Sequence, residues 1–136
     1  MSNQKRKAYL AIKYHPDNQN RQLIEKLAVV LEQAGWSSRV VVRDLEDWGR
    51  IAFTPRELME RSLELLSACE LCVVECSEKG AGIGVEAGYA HAKGIPILLL
   101  ARHGSHISTT LRGIARQIIL YYSPEELTEQ IINLEL

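Results

Sequence analysis

The sequence predicts a doubly wound α/β domain, with one parallel sheet of five strands and helices on both faces. Three observations predict it. Short β-branched or apolar runs alternate with helical periodicity almost to the end of the chain. One run, PILLL, is apolar throughout, as a central strand covered on both faces must be. Capping and stop residues mark the helical segments between the runs.

Residues 7–13 (KAYLAIK) read as the first strand, with Tyr9 inside it. A helix is expected from Asp17 or Asn18 to Ala34. Leu23, Ile24, Leu27, Val30 and Leu31 recur at helical spacing there, and Gly35 ends the run. Residues 38–43 (SRVVVR) are a β-branched run and the second expected strand. DLEDWGRIAF reads as a loop. Thr54, Pro55 and Glu57 then combine an N-cap, a proline at the first helical position and a capping-box partner. That helix should run to about Ser67. Residues 71–76 (LCVVEC) read as the third strand, SEKGAGIG as a glycine-rich loop, and residues 85–93 as a short helix stopped by Gly94. Residues 96–100 form the fourth strand. ARHGSHISTTLRGIAR is a long polar connection with room for one helical turn, and residues 117–121 (QIILY) are the fifth strand. Ser123, Pro124 and Glu126 repeat the capping pattern and open a last helix, with Leu127, Ile131 and Leu134 inward. This alternation implies the flavodoxin-like or Rossmann-like strand order 2-1-3-4-5. Ligands in such sheets bind beyond the carboxyl ends of the strands, here near residues 14–18, 77–86 and 102–112.

The chain has 136 residues, so one domain over 1–136 is expected. A formal net charge of −1 gives no basic bias and argues against a nucleic-acid partner. No apolar run approaches the ~20 residues of a membrane span. The basic, briefly apolar N-terminus lacks a cleavage site of secretory type. Cys69, Cys72 and Cys76 are odd in number and closely spaced, which argues for free thiols in a reducing, cytoplasmic setting. With no fourth cysteine and no zinc-finger spacing, neither metal nor cofactor is expected.

Gly80, Gly82 and Gly84 precede a helix and would let its free N–H groups approach an anionic ligand. The spacing departs from the dinucleotide fingerprint and follows the wrong strand for it. Glu86 is then expected in the first helical turn, where the helix dipole favours an ionised carboxylate. Such a group is a competent nucleophile when partly desolvated, although acidic residues also commonly decorate helix starts.

The stretch CELCVVECSEKGAGIGVEAGYAHAKGIPILLL, followed by ISTTLRGIA, resembles the nucleoside 2-deoxyribosyltransferase superfamily, and within it the 2′-deoxynucleoside 5′-phosphate N-hydrolases. Gly82, Gly84, Glu86, Gly88 and Ala90 stand in register with the motif that carries the family's nucleophile. The resemblance implies that Glu86 attacks C1′ of a deoxyribosyl group, and that water or an acceptor base resolves the covalent intermediate. It also implies that Tyr9 contacts the site and that Ser108 meets the nucleotide phosphate across a homodimer interface. The partner expected is a nucleoside or nucleotide. Three positions depart from the family pattern. Ser62 stands where an aspartate is usual, Gly80 replaces an Asp or Ser, and residues 12–16 lack the usual phosphate loop. Lys13 or His15 offers a different phosphate contact. The departures leave a second reading, a nucleotide-binding module of the same fold without turnover.

Overall fold

The structure, a computed structural model, describes residues 5–135. The strands β1 (Arg6–Ile12), β2 (Trp36–Arg39), β3 (Leu71–Glu75), β4 (Ile97–Arg102) and β5 (Gln117–Tyr121) form one parallel sheet. Their order is β2-β1-β3-β4-β5, as the sequence predicts. Side chains alternate between two faces because the strand period is two. Leu10, Val73, Leu98 and Leu100 pack with α1 (Arg21–Gln33) and α6 (Leu127–Ile132) on one face. Tyr9, Cys72, Val74 and Leu99 pack on the other. That second face is covered by α3 (Pro55–Ser67), α4 (Ala81–Ala92) and α5 (Thr109–Ile114). Every residue of β3 is buried, the burial a strand roofed on both sides needs. Each such aliphatic side chain contributes about 1.5–3 kcal/mol.

Several boundaries differ from the sequence reading, each for a local reason. The second strand covers Trp36–Arg39 and ends before the valines. Val41–Asp44 instead forms a single helical turn, α2. The Asp44 carboxylate accepts the Val40 N–H at 2.8 Å, and Arg43 donates to both Asp44 and the Ser38 carbonyl. These polar bonds outweigh the strand preference of the β-branched run. The first long helix starts at Arg21, not at Asp17 or Asn18. Asp17 and Asn18 take φ of +63° and +57°, which a right-handed helix excludes. Asn20 fixes the entry by accepting the His15 N–H and donating to the Lys13 carbonyl.

The largest revision concerns α4, which begins at Ala81, four residues before the predicted start. Gly82 and Gly84 are helical residues, not loop residues, and Gly80 is an extended N-cap with φ −165°. β4 extends to Arg102, beyond the predicted Leu100. The last helix is preceded by a 3-10 turn over Pro124–Glu126, with the Ser123 capping box in place. No helix among the described residues is long and apolar enough to cross a membrane.

α3 matches its prediction. The Thr54 hydroxyl accepts the Glu57 N–H at 3.2 Å, and the Glu57 carboxylate accepts the Thr54 N–H at 3.2 Å. Thr54→Ala should therefore lower the unfolding free energy by about 1 kcal/mol in urea titration, with Thr54→Ser close to the parent. An unchanged midpoint for the alanine variant would remove the cap from the list of stabilising features.

Candidate active site

β1 and β3 are neighbours, and their register sets Tyr9 beside Cys72 on the face covered by α3 and α4. α4 lies on that face through Ile83, Ala87 and Ala90, and the two alanines keep the helix close to the sheet. At about 100° per residue, Glu86 falls on the flank beside Ala87 and reaches the Tyr9 hydroxyl.

Burial pushes the Glu86 carboxyl up to about 7, and the Tyr9 hydroxyl opposes that rise. The Tyr9 hydroxyl is itself driven far above its ordinary value, first by burial and then by the facing carboxylate. It completes no hydrogen bond of ordinary length, although Glu86 is the acceptor it faces. The helix dipole does not assist Glu86 in the way the sequence suggests. Glu86 is the sixth residue of α4, beyond the first turn in which the dipole acts. Desolvation wins, and the group is poised between neutral and ionised near pH 7. In its ionised form such a carboxylate is a nucleophile, and in its neutral form a proton donor.

Tyr9→Phe tests this pair. Loss of the hydroxyl should move the Glu86 titration upward, as followed by carboxyl 13C NMR. Fold stability should stay within about 1 kcal/mol of the parent or rise, because an unpaired buried hydroxyl is removed. A Glu86 midpoint that does not move would place the two groups out of contact.

All three cysteines are buried and free. Burial pushes the Cys69 and Cys76 thiols up to about 11, and raises Cys72 further, with the Glu86 charge adding to the effect. None has the lowered pKa of a reactive thiolate. Cys72 thus serves as apolar floor beneath Glu86.

The remaining sequence candidates divide into groups. Ser62 is buried in α3, 2% exposed. Lys13 follows β1, with its Cδ 3.9 Å from where a Cβ on Gly80 would stand. His15 Nε2 lies 2.5 Å from Glu78 Oε2. Ser108 is the N-cap of α5, accepting the Leu111 N–H at 3.2 Å. Gly80, Gly84 and Ser108 line a cavity of about 670 Å³ between α4 and α5, together with Gly88, His91 and His106. Glu86 and Tyr9 do not line it. Gly84 and Gly88 lie roughly half a turn around α4 from Glu86. Gly82 joins neither group and has open space where a Cβ would stand. The α4–α5 cavity and the perturbed carboxyl are therefore on opposite flanks of one helix. A cavity marks space, whereas the desolvated carboxyl marks reactivity, so the candidate active site is placed at Glu86.

Sequence reasoning missed one buried carboxyl. Glu75, at the end of β3, is 3% exposed. It accepts the Ser77 N–H at 2.6 Å, the Ser77 hydroxyl at 3.0 Å and the Tyr121 hydroxyl. The Ser77 oxygen in turn accepts the Arg102 N–H at 2.9 Å. This network ties together the carboxyl ends of β3, β4 and β5. Its signal was a charged residue inside the apolar run VVEC.

Fold and site define a doubly wound α/β protein with a desolvated carboxylate on the helix that follows the third strand. No protein-family model matches the chain. It is 30% identical over 132 residues to a Thermofilum pendens protein provisionally named 2′-deoxynucleoside 5′-phosphate N-hydrolase 1, with 92% of each chain covered. The chain belongs to that family, within the nucleoside 2-deoxyribosyltransferase superfamily. Its fold is shared with the Clostridium botulinum CMP N-glycosidase BcmB, at 20% identity and TM-score 0.68 over 93% of this chain and 98% of that one. It is also shared with a 2-deoxyribosyltransferase from Bacillus psychrosaccharolyticus, at 17% identity and TM-score 0.72 over 96% and 93%.

Proposed function

We propose that the chain cleaves the N-glycosidic bond of a 2′-deoxynucleoside or its 5′-monophosphate, with Glu86 as nucleophile. The observation that carries this reading is the Glu86 carboxyl, desolvated over Tyr9 and in register with the family's motif. A Glu86 oxygen forms a bond to C1′ as the C1′–N bond breaks. The bonding pair leaves with the base nitrogen, which takes up a proton. Water then attacks C1′, releases the Glu86 carboxylate and yields the free sugar; an acceptor base in place of water yields a new nucleoside. Tyr9 faces the carboxylate from the sheet and favours its ionised form. The α4 N-terminus, capped by Gly80 and passing through Gly82, offers backbone N–H groups to the ligand; Lys13 stands beside Gly80, and His15 pairs with Glu78 two residues before it, while the Gly84 N–H is already donated to the Gly80 carbonyl. Ser108, exposed to the α4–α5 cavity, is the residue a second copy would receive in a homodimer. Three unpaired thiols suit a cytoplasmic setting.

The relatives' names support the substrate class: a deoxynucleoside 5′-phosphate N-hydrolase, a CMP N-glycosidase and a deoxyribosyltransferase. One observation favours a second reading, a binding module without turnover. Ser62 is buried where the family's aspartate would stand, so no carboxylate from that position assists the leaving base. The test is incubation with the four deoxynucleosides and their 5′-monophosphates, with and without an acceptor base. Free base that depends on Glu86 supports the enzyme. Calorimetric binding of the same compounds with no base released supports the module.

A further inference from the structure

The carboxyl ends of β1 and β3 carry a second polar cluster that attack by Glu86 does not use. His15 Nε2 lies 2.5 Å from Glu78 Oε2. Lys13, Glu78 and Arg102 line one small cleft beside this pair. His15 above all, with Lys13 and Arg102, holds the Glu78 carboxyl below the usual carboxylate range. Lys13 also passes the N-cap of α4, its Cδ 3.9 Å from where a Cβ on Gly80 would stand. One basic side chain, His15, thus pairs directly with this carboxylate, and Lys13 and Arg102 stand in the cleft beside it, near the start of the helix that bears Glu86. Gly80 and Glu86 are six residues apart, about 9 Å along the helix axis.

Several donors around a single anion is how proteins hold phosphate groups. Here the anion is the protein's own. The pair is on the rim, with His15 and Glu78 side chains 27% and 44% exposed, and such pairs are held weakly. The other carboxyl of the cleft, Glu75, is committed to Ser77 and Tyr121. Glu78 is therefore the group that can yield its place.

We propose that Glu78 is a specificity-determining residue, an internal competitor for an anion subsite of phosphate class formed by Lys13, His15 and Arg102. An incoming phosphate takes the carboxylate's place at His15, and Glu78 turns to solvent. The strength of the Glu78–His15 pair then sets the preference between a nucleoside and its 5′-monophosphate. The last step rests on the nucleoside reading above; the anion subsite does not.

Calorimetric titration of the parent and of Glu78→Gln with inorganic phosphate, a deoxynucleoside and its 5′-monophosphate tests it. Glu78→Gln should bind phosphate and the monophosphate about tenfold more tightly, with less than a twofold change for the nucleoside. Adding His15→Ala to Glu78→Gln should remove the gain. Equal phosphate affinity in parent and Glu78→Gln overturns the proposal. So does a gain that survives His15→Ala, or one that the nucleoside shares. Failure of the glycosidic reading has a separate signature, the absence of released base, and leaves the phosphate comparison intact.

Discussion

Glu86→Ala should abolish release of base from any substrate the parent cleaves, with kcat reduced roughly 10⁴-fold or more. Glu86→Gln should be equally inactive, because the amide matches the shape and lacks the nucleophilic charge. In the parent, kcat/KM should fall about tenfold per pH unit below about 7, where burial has placed the Glu86 titration. A second, opposite consequence follows for stability. The carboxyl titrates near 4.5 in the unfolded chain and about 7 in the folded one. Between those values the folded state holds a proton that the unfolded state has released. Stability therefore falls as pH rises through that window, and the full cost is present above pH 7. Allowing for the partial exposure of Glu86, that cost is on the order of 2 kcal/mol. Glu86→Gln should thus be more stable than the parent at pH 8 and equal to it near pH 4.5, by thermal or urea unfolding. A difference that does not vary with pH would mean that Glu86 is solvated in the folded chain. The desolvated carboxyl is in this sense bought with stability.

The second large effect is expected at the Glu75 network. Glu75→Leu keeps the bulk but removes the acceptor for the Ser77 N–H and the Tyr121 hydroxyl. Leaving such groups buried and unpaired should cost about 3 kcal/mol or more, a large share of a typical domain stability of 5–15 kcal/mol. Tyr121→Phe alone should cost about 1 kcal/mol, since Ser77 still satisfies the carboxyl. The two changes should be non-additive. Once Glu75 is gone, Tyr121→Phe removes an orphaned hydroxyl and should recover part of the loss. Urea unfolding of the two single variants and the double variant measures this coupling. Strict additivity would show that Glu75 and Tyr121 do not share a bond.

The strand order was legible because each strand is either β-branched or wholly apolar, and the alternation admits few topologies. The end of the second strand was misread because VVV carries a strong strand preference. Asp44 and Arg43 reverse that preference through contacts periodicity does not encode. Gly82 and Gly84 were assigned to a loop because glycine is a poor helix former, yet packing by Ile83, Ala87 and Ala90 carries the helix through them. That error moved Glu86 into the first turn and inverted its electrostatics. Glu86 and Tyr9 were singled out by pattern and resemblance, and that they face one another follows from α4 packing on the sheet face that bears Tyr9. Glu75 and Glu78 escaped notice because their partners, Tyr121 and His15, are distant in sequence.

Gly82, Gly84 and Gly88 lie inside α4, where a Cβ would meet nothing within 4 Å. None adopts the left-handed conformation that would demand glycine. Each weakens the helix by about 1 kcal/mol relative to alanine. The segment bearing Glu86 therefore has little helical tendency of its own and borrows its order from the sheet beneath it. Its first turn can fray while the strands stay paired. Whatever settles on that bare backbone would quench the fraying and, through it, the protonation of the carboxyl one turn further on.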